Sequence, residues 1–209
     1  MTRRKKIEED MQDLKERWFK NHKAEQHLFY DGDRVITQIV WKAPDTVVNS
    51  IYYFIWGATL MVCGDLGEAI YRWSGGINLK FLAGCNQDYF REKCCGLSGQ
   101  PEEVYSWDED ACRAEVESIL VEPNGWWDGE LLVAKRKVFE EENGKSFMAS
   151  QDEWAGWLRC HEDEFIKGWW DGPASWGRVT NIRVLGHLVG LKMAWEQLGE
   201  DKNVSKAAP

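Results

Sequence analysis

The sequence predicts an α+β fold: a small antiparallel sheet of about three strands within residues 33–73, packed with about five to six helices, the C-terminal half mainly helical. Three observations carry this. β-Branched and aromatic residues crowd the segments between Arg34 and Trp73, each bounded by Gly, Pro or Asp turn signals. Beyond Asn78, apolar residues recur at the spacing of one helix face. Two Ser-x-x-Glu capping boxes, at Ser106 and Ser150, mark helix starts in that half.

In chain order, Ile7, Met11, Leu14 and Trp18 sit at helical spacing in a charged segment, which predicts an amphipathic helix over 1–26. Asp31-Gly32-Asp33 is a turn signal, and Arg34 to Trp41 reads as a strand broken by Pro44-Asp45. Ile51 to Trp56 is apolar at nearly every position, the pattern of a central strand buried on both faces. Thr59 to Cys63 should pair with it across Gly57. Ala69 to Trp73 fits a short edge strand or a helix start equally well.

Asn78 reads as the N-cap of one helix from Leu79 to Cys95, stopped at Gly96. The box at Ser106 opens a helix to about Val121, ended by Pro123-Asn124-Gly125. Another helix spans Glu130 to Glu142. The box at Ser150 opens one to about Lys167, and Thr180 caps the last, whose apolar side holds Ile182, Leu185, Leu188, Val189, Met193 and Trp195. This implies one globular domain over 27–199 (sheet-rich 27–78, helical 79–199), preceded by the 1–26 helix and followed by a disordered tail over 200–209.

A net charge of −9 and a pI near 5.1 disfavour general nucleic-acid binding, which needs excess Lys and Arg, and permit a basic partner surface. Arg3 to Lys6 is followed by acids rather than an apolar signal core, and no apolar run approaches the roughly 20 residues of a membrane span. A cytoplasmic protein with reduced thiols is therefore expected. The cysteines Cys85, Cys94, Cys95 and Cys112, even with His161, lack the paired short spacings of zinc sites, so no metal is expected. Cys160 and His161 are adjacent, point about 100° apart on a helix and make no catalytic dyad. With no phosphate loop or hydrolase motif in the chain, no cofactor is expected either.

Two constellations remain. Asp65 and Glu68, among glycines at a strand end, can serve as an acid–base pair, or Asp65 can close a tight turn by bonding nearby backbone N–H groups. Trp126-Trp127-Asp128 recurs 43 positions later as Trp169-Trp170-Asp171, each copy flanked by glycines. Exposed Trp beside Asp suits protein recognition, while buried copies would plug helix corners.

From Gly57 to Cys94 runs a motif string: Thr59-Leu60-Met61-Val62-Cys63-Gly64-Asp65-Leu66-Gly67-Glu68-Ala69-Ile70-Tyr71-Arg72-Trp73-Ser74, then Leu82-Ala83-Gly84-Cys85, Asp88-Tyr89-Phe90 and Lys93-Cys94. It resembles a group of small accessory proteins of tailed bacteriophages and prophages, over roughly residues 27–113. The group carries no assigned chemistry, so the resemblance implies no catalytic residue. It implies a phage gene product acting in the host bacterial cytoplasm, of the kind that includes inhibitors of host defence such as anti-CRISPR proteins.

The expected function is therefore a counter-defence protein that binds a bacterial immune complex and blocks its nucleic-acid-binding surface, sterically and electrostatically. The candidate binding residues are Trp126, Trp127, Asp128, Trp169, Trp170, Asp171, Asp65 and Glu68. The alternatives are a sponge for a nucleotide immune signal and, more remotely, an enzyme using Asp65 and Glu68. A homodimer through the N-terminal helix is a further expectation.

Overall fold

The structure, a computed structural model, describes residues 3–97, 104–121, 137, 139–140, 148–161 and 175–200. These divide into two compact units, one of residues 9–104 and 180–209, the other of residues 1–8 and 105–179. The fold is α+β, but its sheet is not a small three-stranded one. Six antiparallel strands run in the order β1-β2-β3-β4-β5-β6: Lys23–Asp31, Arg34–Lys42, Ile51–Trp56, Thr59–Gly64, Ala69–Arg72 and Cys94–Leu97. Of the three additional strands, β5 lies inside the expected window and β1 and β6 lie outside it.

The first of them replaces the end of the expected N-terminal helix. Helix α1 spans Arg3–Asp13 and continues as a π-helical stretch, Leu14–Trp18, in which Phe19 N donates to Leu14 O at 2.9 Å. The widened turn lets Leu14 and Phe19, five residues apart, both be fully buried. The chain then enters β1, which pairs along its whole length with β2 around the Asp31-Gly32-Asp33 turn.

The second correction is the expected helix from Leu79 to Cys95. It is two short helices, α2 (Leu79–Ala83) and α3 (Gln87–Glu92). The Asn78 side chain accepts from Phe81 N at 2.8 Å and the Asn86 side chain from Tyr89 N at 2.9 Å. Two asparagine caps start two helices. Cys94 to Leu97 then pairs with β5, which is an internal strand rather than an edge or a helix start.

In the second unit β7 (Tyr105–Trp107) pairs with β8 (Arg178–Thr180). Ser106 lies within β7, so it does not cap. Asp108 does, accepting from Ala111 N at 2.7 Å, and α4 runs Glu109–Val121 as far as expected. Ser150 caps as read, its Oγ accepting from Glu153 N at 3.2 Å, and opens α5, Gln151–Cys160, which closes at His161 rather than running to about Lys167. The core of this unit holds three tryptophans, Trp154, Trp157 and Trp176, among Cys112, Val116, Leu120, Phe139, Met148 and Leu158, and the first two stack at 5.3 Å. The half-buried Trp107 donates to Met148 O at 2.7 Å. The expected helix over 130–142 and the tail over 200–209 lie almost wholly outside the described residues.

Helix α6, Ile182–Glu200, covers the inner face of the six-stranded sheet. Its cap is Asn181, whose side chain accepts from Arg183 N at 2.9 Å. Thr180 instead spends its hydroxyl on Gln87 Oε1 at 2.8 Å and accepts from the buried Arg91 at 3.1 Å. The helix approaches closely because Gly190 faces β3. A Cβ there would stand 2.2 Å from Tyr53 Oη, so a larger residue would displace Tyr53 or the helix. Tyr53 and Tyr71 reach up from the sheet to His187, and Ile39, Trp41, Ile51 and Leu60 fill the core around them.

Candidate functional site

His187 lies at the buried polar centre of the sheet unit. Its ring is fully buried, Nδ1 lies 2.8 Å from Tyr71 Oη, and its carbonyl accepts from Tyr53 Oη at 3.0 Å. Burial pushes its pKa down to about 4, aided by the Arg183 charge and opposed by the Leu66 backbone. Burial likewise raises both tyrosines well above their usual range. Sealed from solvent, this trio is a structural polar centre rather than a place where a substrate enters.

Asp65 and Glu68 do different things. The backbone turns sharply at Gly64, where φ is +132° and a Cβ would stand 2.3 Å from Ser50 O. Asp65 N then donates to Ser50 O at 2.9 Å, and the Asp65 carboxylate accepts from Asn49 N at 2.7 Å. Asn49 has φ +58°, so the carboxylate holds a strained turn in place and with it the exposed pair Val47 and Val48. Glu68 lines a shallow groove of about 400 Å³ with Met61, Cys63, Ile70 and Leu97. It joins burial in raising the Cys63 thiol pKa.

The groove opens onto the outer face of the sheet. Strand parity puts Tyr52, Phe54 and Trp56 on the face opposite the buried Ile51, Tyr53 and Ile55. Register aligns Phe54 with Met61 and Ile70, and Trp56 with Ile36, which pairs in turn with Phe29. Trp56 is 45% exposed and Phe29 52%, and Met61 and Ile70 are also exposed. At the β1–β2 hairpin tip Leu28, Tyr30 and Val35 are exposed as well, with Tyr30 72% exposed, but register puts them on the opposite face, beyond Ile39 and Tyr53. Scattered exposed apolar residues are ordinary, whereas a row crossing five strands marks an interaction surface. The apolar run over Ile51 to Trp56 did signal a central strand, but only one of its faces is buried.

A second, open groove of about 550 Å³ lies among α2 and α3, lined by Lys80, Phe81, Cys85 and Tyr89, with Lys93 Nζ 4.6 Å from the Tyr89 ring centroid. Burial pushes the Cys85 thiol pKa up despite nearby Lys192, which leaves it a poor nucleophile. All six cysteines are free, and Cys112 is pushed up to about 12, chiefly by burial and further by Glu115 and Glu109. Among the described residues no cluster of His, Cys, Asp and Glu is arranged to hold a metal, and no helix is long and apolar enough to cross a membrane. Trp126, Trp127, Asp128, Trp169, Trp170 and Asp171 lie outside the described residues. No protein-family model, curated protein or solved structure matches the chain.

Proposed function

We propose that this chain is a phage-encoded counter-defence protein that works by binding, and that the outer face of the six-stranded sheet is its recognition surface. The observation that carries the binding reading is the row Phe29, Ile36, Trp56, Phe54, Met61 and Ile70, apolar and largely open on one face. Exposed aromatic and Met side chains of this kind are what protein interfaces bury at their centres. The net charge of −9 favours a partner whose surface is basic, such as the groove in which an immune complex holds nucleic acid. The resemblance over residues 27–113 supports the phage origin. The two Trp-Trp-Asp clusters enter the proposal as additional contacts.

The test is phage plating on matched bacterial hosts with and without a nucleic-acid-guided defence system, each expressing the chain. Expression should restore plating on the immune host only, and the double variant Trp56→Lys, Met61→Lys should lose the effect. Both positions are exposed, so the variant should stay within about 0.5 kcal/mol of wild-type stability. Equal rescue by wild type and a folded variant would move the binding surface elsewhere, and no rescue in any defended host would end the counter-defence reading.

The Phe81–Tyr89 groove favours a second reading. Two aromatic rings beside Lys80 and Lys93 suit a nucleotide, as a sponge for an immune signal requires. Chromatography of small molecules released on denaturing the purified protein decides it: a stoichiometric nucleotide would promote this reading, and none would drop it.

A further inference from the structure

Strand β1 is an edge of the sheet, and among the described residues only part of it is covered. Asp31 and Arg34 are the last pair before the Gly32-Asp33 turn, so Lys23, Glu25, His27, Phe29 and Asp31 bond to β2, and the alternate residues point their N–H and C=O groups off the sheet. Ala24 shows this directly, its N–H donating to Gln197 Oε1 of α6 at 3.0 Å. Gln197 is anchored in turn by Nε2 donating to His22 O at 3.0 Å. The cap stops there. Among the described residues nothing bonds the N–H groups of Leu28 and Tyr30, and both side chains are exposed. A long, apolar, uncapped edge is a template for another strand.

We propose that a second copy of this chain occupies that edge: residues 27–31 of two molecules pair antiparallel about a two-fold axis at Phe29. Charge and covering select this register. A centre at His27 would pair Ala24 with Tyr30 of the second copy, using the edge position that Gln197 holds. A centre at Leu28 would set Glu25 against Asp31, two like charges directly opposed. A centre at Phe29 sets His27 against Asp31, Leu28 against Tyr30, and Phe29 against Phe29, a polar pair, an apolar pair and an aromatic pair. It also leaves every residue that α6 caps outside the paired stretch. Five residues a side is small beside the roughly 1,200–2,000 Å² of stable interfaces, so the dimer is weak and reversible. The two outer faces become continuous across the axis. The pairing does not depend on the counter-defence reading.

Sedimentation equilibrium of the full chain between about 1 and 300 µM tests this, a range suited to an interface of this size. A monomer–dimer equilibrium is expected. Leu28→Pro removes an off-sheet N–H and leaves the β2 ladder intact, and it should weaken the dimer about tenfold or more at unchanged monomer fold by circular dichroism. Asp31→Lys, which leaves the backbone donors in place, should weaken it as well, while Trp56→Lys should not. In a Cys95→Ser, Cys160→Ser background, Phe29→Cys should oxidise to a covalent dimer and His27→Cys should not, because only the first pair meets at the axis. A strict monomer throughout overturns the proposal, even one that captures a foreign extended peptide. So does a dimer indifferent to both Leu28→Pro and Asp31→Lys.

Discussion

At the residue scale, the polar centre makes a pH prediction. In the folded chain His187 is neutral, with its pKa pushed down to about 4 by burial. The unfolded chain takes up that proton near pH 6.5 and the folded one does not. Stability from this group is therefore whole above about pH 6.5, falls as pH drops toward 4, and changes no further below that. The loss is on the order of 3 kcal/mol. Urea denaturation of wild type and His187→Gln across pH 7 to 4 isolates it, because the carboxylates common to both cancel in the difference. The difference should narrow as pH falls. A pH-independent difference would mean that His187 is not held neutral. The same scale accounts for Asp65: its bond to Asn49 N, sixteen positions upstream, is a long-range contact that no local pattern announces, although the turn role itself was readable from the glycines around it.

At the element scale, each start signal is a separate energy. Asn78→Ala and Asn86→Ala should each destabilise by about 1 kcal/mol, measured by urea denaturation, since each removes an accepted backbone N–H and leaves the other helix capped. If Asn86→Ala proved neutral, α3 would be held by packing alone. These elements also show what the sequence makes legible. Ser150 reads correctly because capping box and helix coincide locally. Strand β1 does not read: Lys23-Ala24-Glu25-Gln26-His27 has little β-propensity, and only the ladder to β2 and the Gln197 cap make it a strand. Cys94 to Leu97 fails for the same reason, being strand only because β5 lies beside it. Propensity yields wherever a partner supplies the hydrogen bonds. The outer face was hidden differently, since apolar residues on both sides of β3 look alike in sequence whether or not anything covers them.

At the scale of the whole molecule, the sheet unit is built from two separated pieces of chain. Asn181 N donates to Val104 O at 3.0 Å, so the chain leaves and re-enters that unit at adjacent points. Strands β1 to β6 are complete by Leu97, but the helix that covers their inner face begins at Ile182. A fragment of residues 1–181 should therefore lack the near-ultraviolet circular dichroism of a packed Trp41–Tyr53 core. Adding a synthetic peptide of residues 180–209 should restore it, and a fragment with native signal on its own would show that the sheet stands without its helix. There is a temporal side to this arrangement. A ribosome adding roughly 5–20 residues per second needs about 4–17 s to travel from the last strand to the first turn of that helix. Through that interval Ile39, Trp41, Tyr53 and Leu60 lack the cover of that helix. The nascent chain carries this apolar surface through some 85 residues of further synthesis, which makes its yield in a cell depend on holdase chaperones and on translation speed more than the finished fold would suggest.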